Sequence, residues 1–331
     1  MDPFTHALVG ASLAVVISDA PHRRKAALAG ALIALLPDAD IWLGRAGDPL
    51  QEIAWHRHFS HALIMAPLAG WLFAWLGKYI GWKMPIWRSF FLAGFVYASA
   101  CLLDWCTSYG TWLFWPFINA PSSLGIIAVV DPFFSLLLLT GLAWFLVRNS
   151  VRAPALSLLL AVCYLFAGAL QQQRAQVVAT GLAMERQVDI IEQTVKPTMG
   201  NLILWRLVSV DRQGWVRADA VHLGLKTRIY PGEAAPGFDP ARLPSGHPLR
   251  PLLARYERLN QPLLMKHPEP PLMIGDARFA MLPGSLAPLW GLEITGDEIR
   301  FVTRRYQDAQ MRQDFLDMLL GRERRHFSGD R

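Results

Sequence analysis

Phe90-Phe91-Leu92-Ala93-Gly94-Phe95-Val96-Tyr97-Ala98-Ser99-Ala100-Cys101-Leu102-Leu103-Asp104-Trp105 is an apolar stretch with one carboxylate near its end. Taken as residues 89–107, it is about long enough to cross a bilayer, which needs roughly 20 residues. Residues 62–82, 126–147 and 155–172 read the same way. Two shorter stretches, 6–18 and 26–36, come earlier and read as thin spans or as a hairpin that enters without crossing. All these runs fall in the first half, which explains a hydrophobic content of 53% and a mean hydropathy of +0.26. The expected fold is an all-α polytopic membrane domain of about six membrane segments, residues 1–172, followed by a soluble α+β domain, residues 173–331. The chain opens Met1-Asp2-Pro3-Phe4 without a basic region, so no cleavable signal peptide is expected.

The net charge of +6 raises nucleic acid as a partner, but the pattern argues against it. Residues 1–172 carry ten Lys/Arg and eight Asp/Glu, and the tail carries 22 and 18 mixed along its length, with no basic stripe. With six segments, the connections on one side hold Arg23, Arg24, Lys25, Lys78, Lys83, Arg88, Arg148 and Arg152. Those on the other side hold only Arg45 and Arg57. The positive-inside rule puts the eight-charge side in the cytoplasm. The tail is then expected to face outward, into the periplasm of a Gram-negative cell. Cys101, Cys106 and Cys163 lie in the apolar runs and read as small packing residues.

Five of the nine histidines fall in the first 61 residues, three of them in Trp55-His56-Arg57-His58-Phe59-Ser60-His61. On the six-segment reading His6, Asp38, Asp40, His56, His58, His61, Asp104 and Asp131 all lie near the outward ends of their segments. Histidines and carboxylates gathered at the ends of apolar helices suit a divalent cation, and an unpaired charge in hydrocarbon is costly. Asp104 needs a cation or strong donors, and a metal bound by His6 and His61 would serve. If 56–61 starts a helix, His58 and His61 share a face while His56 and His61 diverge. Ser60 can hold a ligand through a hydrogen bond, and Arg57 suits an anionic substrate group. Asp38-Ala39-Asp40 follows a proline, and either acid can simply cap a turn; Asp40 is the better ligand candidate. Asp131-Pro132 reads as a helix N-cap and first-turn proline. The aromatic stretch Tyr109 to Phe117 reads as an interfacial loop.

Met1-Asp2-Pro3-Phe4-Thr5-His6-Ala7-Leu8-Val9-Gly10, Asp38-Ala39-Asp40, His56 to Leu63 and Leu102 to Thr111 resemble, in order and spacing, the YdjM-type family of bacterial inner-membrane proteins. That family is described as metal-dependent hydrolases. The resemblance covers about residues 1–147 and implies His6, Asp40, His56, His61 and Asp104 as the matching polar positions. One departure matters. The family pattern commonly has a histidine four residues before the aspartate of Leu-Leu-Asp, and here that position is Ala100.

The expectation is a membrane-bound hydrolase of an ester or phosphoester, with a lipid-like substrate at the outer face of the inner membrane. The metal ligands are His6, Asp40, His61 and Asp104. Zinc is preferred for this mixed donor set, with manganese second. His56 or Asp38 is the general base, and Arg57 binds developing negative charge. The rival is a non-enzymatic envelope protein with a structural polar cluster and an interaction tail whose protein partner the sequence does not name. In the tail, Leu202–Val208 with Trp215–Leu223, and Leu289–Ile294 with Glu298–Arg304, read as hairpins. Residues 249–259 and 307–320 read as helices, and the Pro/Gly-rich stretch 231–271 as mainly a long loop. His222, His247, His267 and His326 read as surface residues.

Overall fold

The computed structural model describes residues 1–43, 47–79, 84–296, 298–305 and 308–323, without the side chain of Glu52. Arg45, Lys83, Gln307 and His326, named above or within ranges named above, lie outside the described residues. The chain forms two units, Met1–Ala46 with Ala54–Ala169, and Gly47–Ile53 with Leu170–Arg331.

Every apolar stretch of the first half forms a helix. Helix α1 spans Pro3–Ile17; Asp2 caps it by accepting the Thr5 N–H at 3.0 Å, and proline fills the first helical position. There follow α2 (Arg23–Ala34), α3 (Gln51–Trp55), α4 (Met65–Tyr79), α5 (Ile86–Cys106), α6 (Pro132–Arg148) and α7 (Arg152–Glu185). Asp131 is the N-cap of α6, accepting from the Phe134 N–H at 3.0 Å.

Six spans are not supported. Among the described residues two helices, α5 and α7, are long and apolar enough to cross a membrane. A third candidate exists if Ile53–His61 and Met65–Tyr79, bent by 70° at their break, count as one span. Length is the reason. With a rise of about 1.5 Å per residue, the 15 residues of α1 reach about 22 Å and the 12 of α2 about 18 Å, short of a hydrocarbon core of about 30 Å. Helix α2 also starts on Arg23, Arg24 and Lys25.

Helices α1 and α2 pack backbone to backbone where two glycines face each other. A Cβ on Gly10 would lie 2.3 Å from the Gly30 carbonyl oxygen and 2.5 Å from the Ala34 Cβ; one on Gly30 would lie 2.3 Å from the Gly10 carbonyl oxygen. Small residues allow this approach in apolar surroundings. Much of the outer surface of α4 to α7 is apolar and bare: Trp71, Phe91, Phe95, Phe133, Leu136, Val147, Leu159 and Phe166 are each more than half exposed.

In the second unit the first sheet runs β1 (Ile190–Pro197), β2 (Leu204–Asp211), β3 (Trp215–Leu223) and β4 (Thr227–Tyr230), with β5 (Ala234–Pro236) also on β3, all antiparallel. Val195, Trp205, Leu207, Val221 and Leu223 pack against Ala175, Ala179 and Leu182 of α7. The second sheet is β6 (Leu264–Lys266), β7 (Met273–Asp276), β8 (Trp290–Thr295) and β9 (Glu298–Thr303). Helix α8 (Leu249–Asn260) buries Leu249, Leu253 and Tyr256 with Leu264, Ile274 and Leu292 of this sheet, and α9 spans Ala309–Leu319. Leu50 and Ile53 join that core, and Arg255 holds both oxygens of Asp48 at 2.8 Å.

Both expected hairpins form. The stretch 231–271 is not mainly a long loop, because β5, α8 and β6 interrupt it. His267 is buried rather than at the surface: its Nδ1 accepts the Glu269 N–H at 3.1 Å and lies 3.0 Å from an Arg304 nitrogen.

Gly10→Val is expected to separate α1 from α2 and to abolish recovery of monodisperse protein from detergent, measured by size-exclusion chromatography. Leu50→Ala, at a fully buried position, should cost about 2–5 kcal/mol in the second unit, read by denaturant unfolding.

Candidate functional site

Four chain segments meet at the carboxylate of Asp104. Asp104 sits in the last turn of α5 and is fully buried. His6 comes from the first turns of α1, where the Asp2 cap and Pro3 set the helix start. Asp38 and Asp40 lie in a 3-10 turn, Pro37–Trp42, that follows α2. His61 ends a second 3-10 turn, Phe59–His61, just ahead of α4.

Three imidazole and carboxylate contacts define the centre. His6 Nε2 lies 3.3 Å from Asp104 Oδ2, His61 Nε2 lies 3.0 Å from the same oxygen, and His61 Nε2 lies 3.3 Å from Asp38 Oδ1. His6, Asp38 and Asp104 each offer one donor atom, and these atoms lie within 4.8 Å of one another. Yet His6 Nε2, His61 Nε2 and Asp104 Oδ2 are buried without a hydrogen bond, so the rings approach the oxygen without aiming an N–H at it. Buried polar atoms are normally satisfied, and such a group of orphans calls for a cause.

The other side of Asp104 is fully met. Arg57 holds Oδ1 at 2.8 Å and donates to Thr107 Oγ1 at 2.9 Å, and the Met1 amino group also pairs with Oδ1. Thr107 Oγ1 returns a bond to the Asp104 carbonyl at 2.7 Å. The guanidinium lies 5.0 Å from the Tyr109 ring centroid. Arg57 is buried, with its charge paired to Asp104. Its backbone has φ 61°, a left-handed conformation uncommon for arginine, in which its N–H donates to Asp40 Oδ2 at 2.9 Å.

Asp40 and Asp38 differ in direction. Asp40 spends its oxygens on His56 Nδ1 at 2.9 Å, Ser60 Oγ at 2.5 Å, the Arg57 N–H and His61 Nδ1 at 3.2 Å. It therefore stands behind His61, on the ring nitrogen away from Asp104, while Asp38 faces the centre. A six-residue 3-10 turn turns residues two apart to different sides, which the spacing Asp-x-Asp does not reveal. The run 56–61 is also not one helix. The left-handed Arg57 swings His56 toward His61, and the two rings come within 5.9 Å on a shared Asp40. His58 turns away, 4.6 Å from Trp112 and 5.9 Å from Trp115. Asp131 is not at the centre; besides capping α6 it accepts the Tyr164 hydroxyl at 2.9 Å. Ala100 is buried in the apolar cluster of α5 with Val96 and Cys101. Sequence reasoning missed Thr107, the hydroxyl that links Arg57 to the end of α5, and the Tyr97 hydroxyl, which donates to the Ser60 carbonyl.

A family model described as YdjM inner membrane protein matches residues 1–175. The chain belongs to this YdjM inner membrane family. The match contains every residue of the cluster, as well as the helices with bare apolar faces. No curated protein and no solved structure matches the chain.

Removing one partner of a buried ion pair leaves the other charge stranded, at about 3–5 kcal/mol. Arg57→Met is therefore expected to lower stability by that order, measured by thermal melting in detergent. Arg57→Met with Asp104→Asn should melt above Arg57→Met alone, because the stranded charge is then gone.

Proposed function

We propose that His6, Asp38, His61 and Asp104 hold a divalent cation, and that the protein is a membrane-bound hydrolase of an ester or phosphoester. One observation carries this reading. Three buried donor atoms without hydrogen bonds, His6 Nε2, His61 Nε2 and Asp104 Oδ2, crowd together beside Asp38. Around a tetrahedral zinc with bonds of about 2.0–2.1 Å, donor atoms stand about 3.3 Å apart. Three of the six donor pairs, at 3.0, 3.3 and 3.3 Å, match that spacing, and the His6, Asp38 and Asp104 donor atoms lie within 4.8 Å of one another. Zinc suits two imidazoles and two carboxylates, with manganese the second choice. Four donors are available without a histidine at position 100.

Such a cation supplies an acidified water and a polarised substrate oxygen. The chain's own residues would do the rest. Asp40, together with the Ser60 hydroxyl that donates to it and lies 3.1 Å from His61 Nδ1, fixes the His61 ring so that Nε2 faces the centre. The same carboxylate takes His56 Nδ1, which leaves His56 Nε2 to accept and return a proton. His56 keeps about a quarter of its side chain exposed, as a proton-exchanging group needs. Arg57 binds Asp104 Oδ1 and leaves Oδ2 to the cation. In this assignment Asp38 is a ligand, and Asp40 positions two histidines.

The basic residues Arg23, Arg24, Lys25, Lys78, Arg88, Arg148 and Arg152 cluster at the α1–α2, α4–α5 and α6–α7 joints, away from the helix ends that carry the cluster. By the positive-inside rule we assign these joints to the cytoplasmic side and the cluster to the periplasmic side; counting the 17-residue α6 as a crossing puts the domain that follows α7 on the periplasmic side too. The bare apolar helices around it favour a lipid-like substrate.

Metal analysis of purified wild type should find about one zinc or manganese per chain. His61→Ala and Asp104→Asn should lose it, and Asp40→Asn should bind about 10–100-fold more weakly. Equal, near-zero metal in wild type and variants would sink the metal reading. Bound metal without turnover on a panel of phospholipids and phosphoesters would favour the rival, a structural cluster in a non-enzymatic envelope protein.

A further inference from the structure

Three apolar side chains of the second unit stand bare in a place the sequence does not explain. Leu225 is fully exposed, Met199 is 65% exposed and Ile203 is 41% exposed. They sit on two neighbouring turns, the β1–β2 connection at 198–203 and the β3–β4 connection at 224–226. Good core was available nearby, since Leu202, Leu204, Trp205 and Leu223 in the same turns and strands are buried.

These tips are held in place. The Asn201 side chain braces the first turn: its Nδ2 donates to Thr198 Oγ1 at 2.8 Å, and its Oδ1 accepts the Ile203 and Leu204 N–H groups at 2.9 and 2.6 Å. Met199 and Ile203 are thus displayed by an ordered loop. Both turns are tied to one short piece of α7. Gln171 Nε2 donates to the Leu202 and Leu223 carbonyls, each at 2.9 Å. Arg174 reaches the Leu223 and Gly224 carbonyls at 3.4 Å and the Gln171 Oε1 at 2.6 Å.

That piece of α7 has a defined depth. Helix α7 is a candidate membrane span, and along it Val162, Phe166 and Leu170 form an exposed apolar stripe at four-residue spacing. The stripe ends at Leu170, and Gln171-Gln172-Gln173-Arg174 follows at once. A span that stops being apolar there leaves the hydrocarbon there. The two turns bound to Gln171 and Arg174 therefore stand at the level where α7 emerges. Exposed Arg174 and Lys226 lie beside them, as cations do at the level of lipid phosphates.

We propose that the 198–203 and 224–226 turns form a membrane-docking surface, with Met199, Ile203 and Leu225 inserted into the lipid interface beside the end of α7. The partner is the bilayer itself, with anionic headgroups on Arg174 and Lys226. The proposal rests on α7 as a span and is independent of any metal or hydrolase activity.

The test is spin-label accessibility in the full chain, in bilayer nanodiscs containing anionic phospholipid. Cys101, Cys106 and Cys163 are replaced by alanine, and one label is placed at Leu225→Cys, Met199→Cys or Gln213→Cys. Gln213 is exposed at the far end of the β2–β3 hairpin, about 20 Å along the strands. Labels at 225 and 199 should be several-fold more accessible to oxygen relative to a water-soluble nickel complex than the label at 213. Water-like values at 225 and 199 would overturn the proposal. So would exclusion of both reagents, which would mark a protein contact. If the cysteine-free chain does not fold, a photoactivatable diazirine residue at position 225 of the otherwise native chain reads the same point. Crosslinks to lipid are expected, and their absence, or crosslinks to protein alone, would overturn it.

Discussion

The buried carboxylate of Asp104 is the group on which the first unit's arrangement depends. It ends an apolar helix and is shut off from solvent, and a charge so placed must be met from the protein. Arg57 meets one oxygen, and it does so from a left-handed backbone that also delivers its N–H to Asp40. His6 and His61 approach the other oxygen from α1 and from the turn before α4. One side chain thereby fixes the start of α1, the end of α5 and the histidine run. The close α1–α2 contact at Gly10 and Gly30 then fixes where the 3-10 turn carrying Asp38 and Asp40 begins.

The helices of the first unit were legible in the sequence because long apolar runs have no other way to satisfy their backbone away from water. Their number as crossings was not. Runs such as 6–18 and 26–36 have the composition of membrane segments, but helices of 15 and 12 residues are too short for one. The same limit applied at the site. His6, His61 and Asp104 stood out as polar residues at the ends of apolar stretches. The opposite facing of Asp38 and Asp40 did not, because it depends on a 3-10 turn. The convergence of His56 and His61 did not either, because it depends on one positive φ. Both are properties of a few torsion angles that residue spacing cannot report.

In the second unit the two hairpins were legible from alternation around Asp211-Arg212-Gln213-Gly214 and around Thr295-Gly296. Strand β1 was not, since Ile190 to Pro197 mixes charged and apolar residues without clean alternation. Lys196 shows why: it is buried on that strand, with its Nζ 3.2 Å from the Phe279 ring centroid, and burial pushes its ammonium well below the usual lysine range. The excursion of Gly47–Ile53 into the second unit was hidden as well. Leu50 and Ile53 have no long apolar run around them, and their core partners come some 200 residues later.

Under the proposed assignment, Asp40 constrains the site more than any ligand does. It accepts from Ser60 and the Arg57 backbone while facing Nδ1 of both His56 and His61. A carboxylate shared in this way links the two rings: His56 Nδ1 meets it directly, and His61 Nδ1 lies 3.1 Å from the Ser60 hydroxyl that donates to it, so a proton on Nδ1 of each ring would leave both Nε2 atoms free. The ring that would bind a cation and the ring that would exchange a proton are then set by one group. The neutral amide of an Asp40→Asn variant could accept through its oxygen but would present donors on its other side, so it could not serve both rings at once. Asp38, with its second oxygen unpaired and its side chain partly exposed, carries no such double duty. The two acids of one short turn are therefore not interchangeable, although the sequence presents them as equivalent.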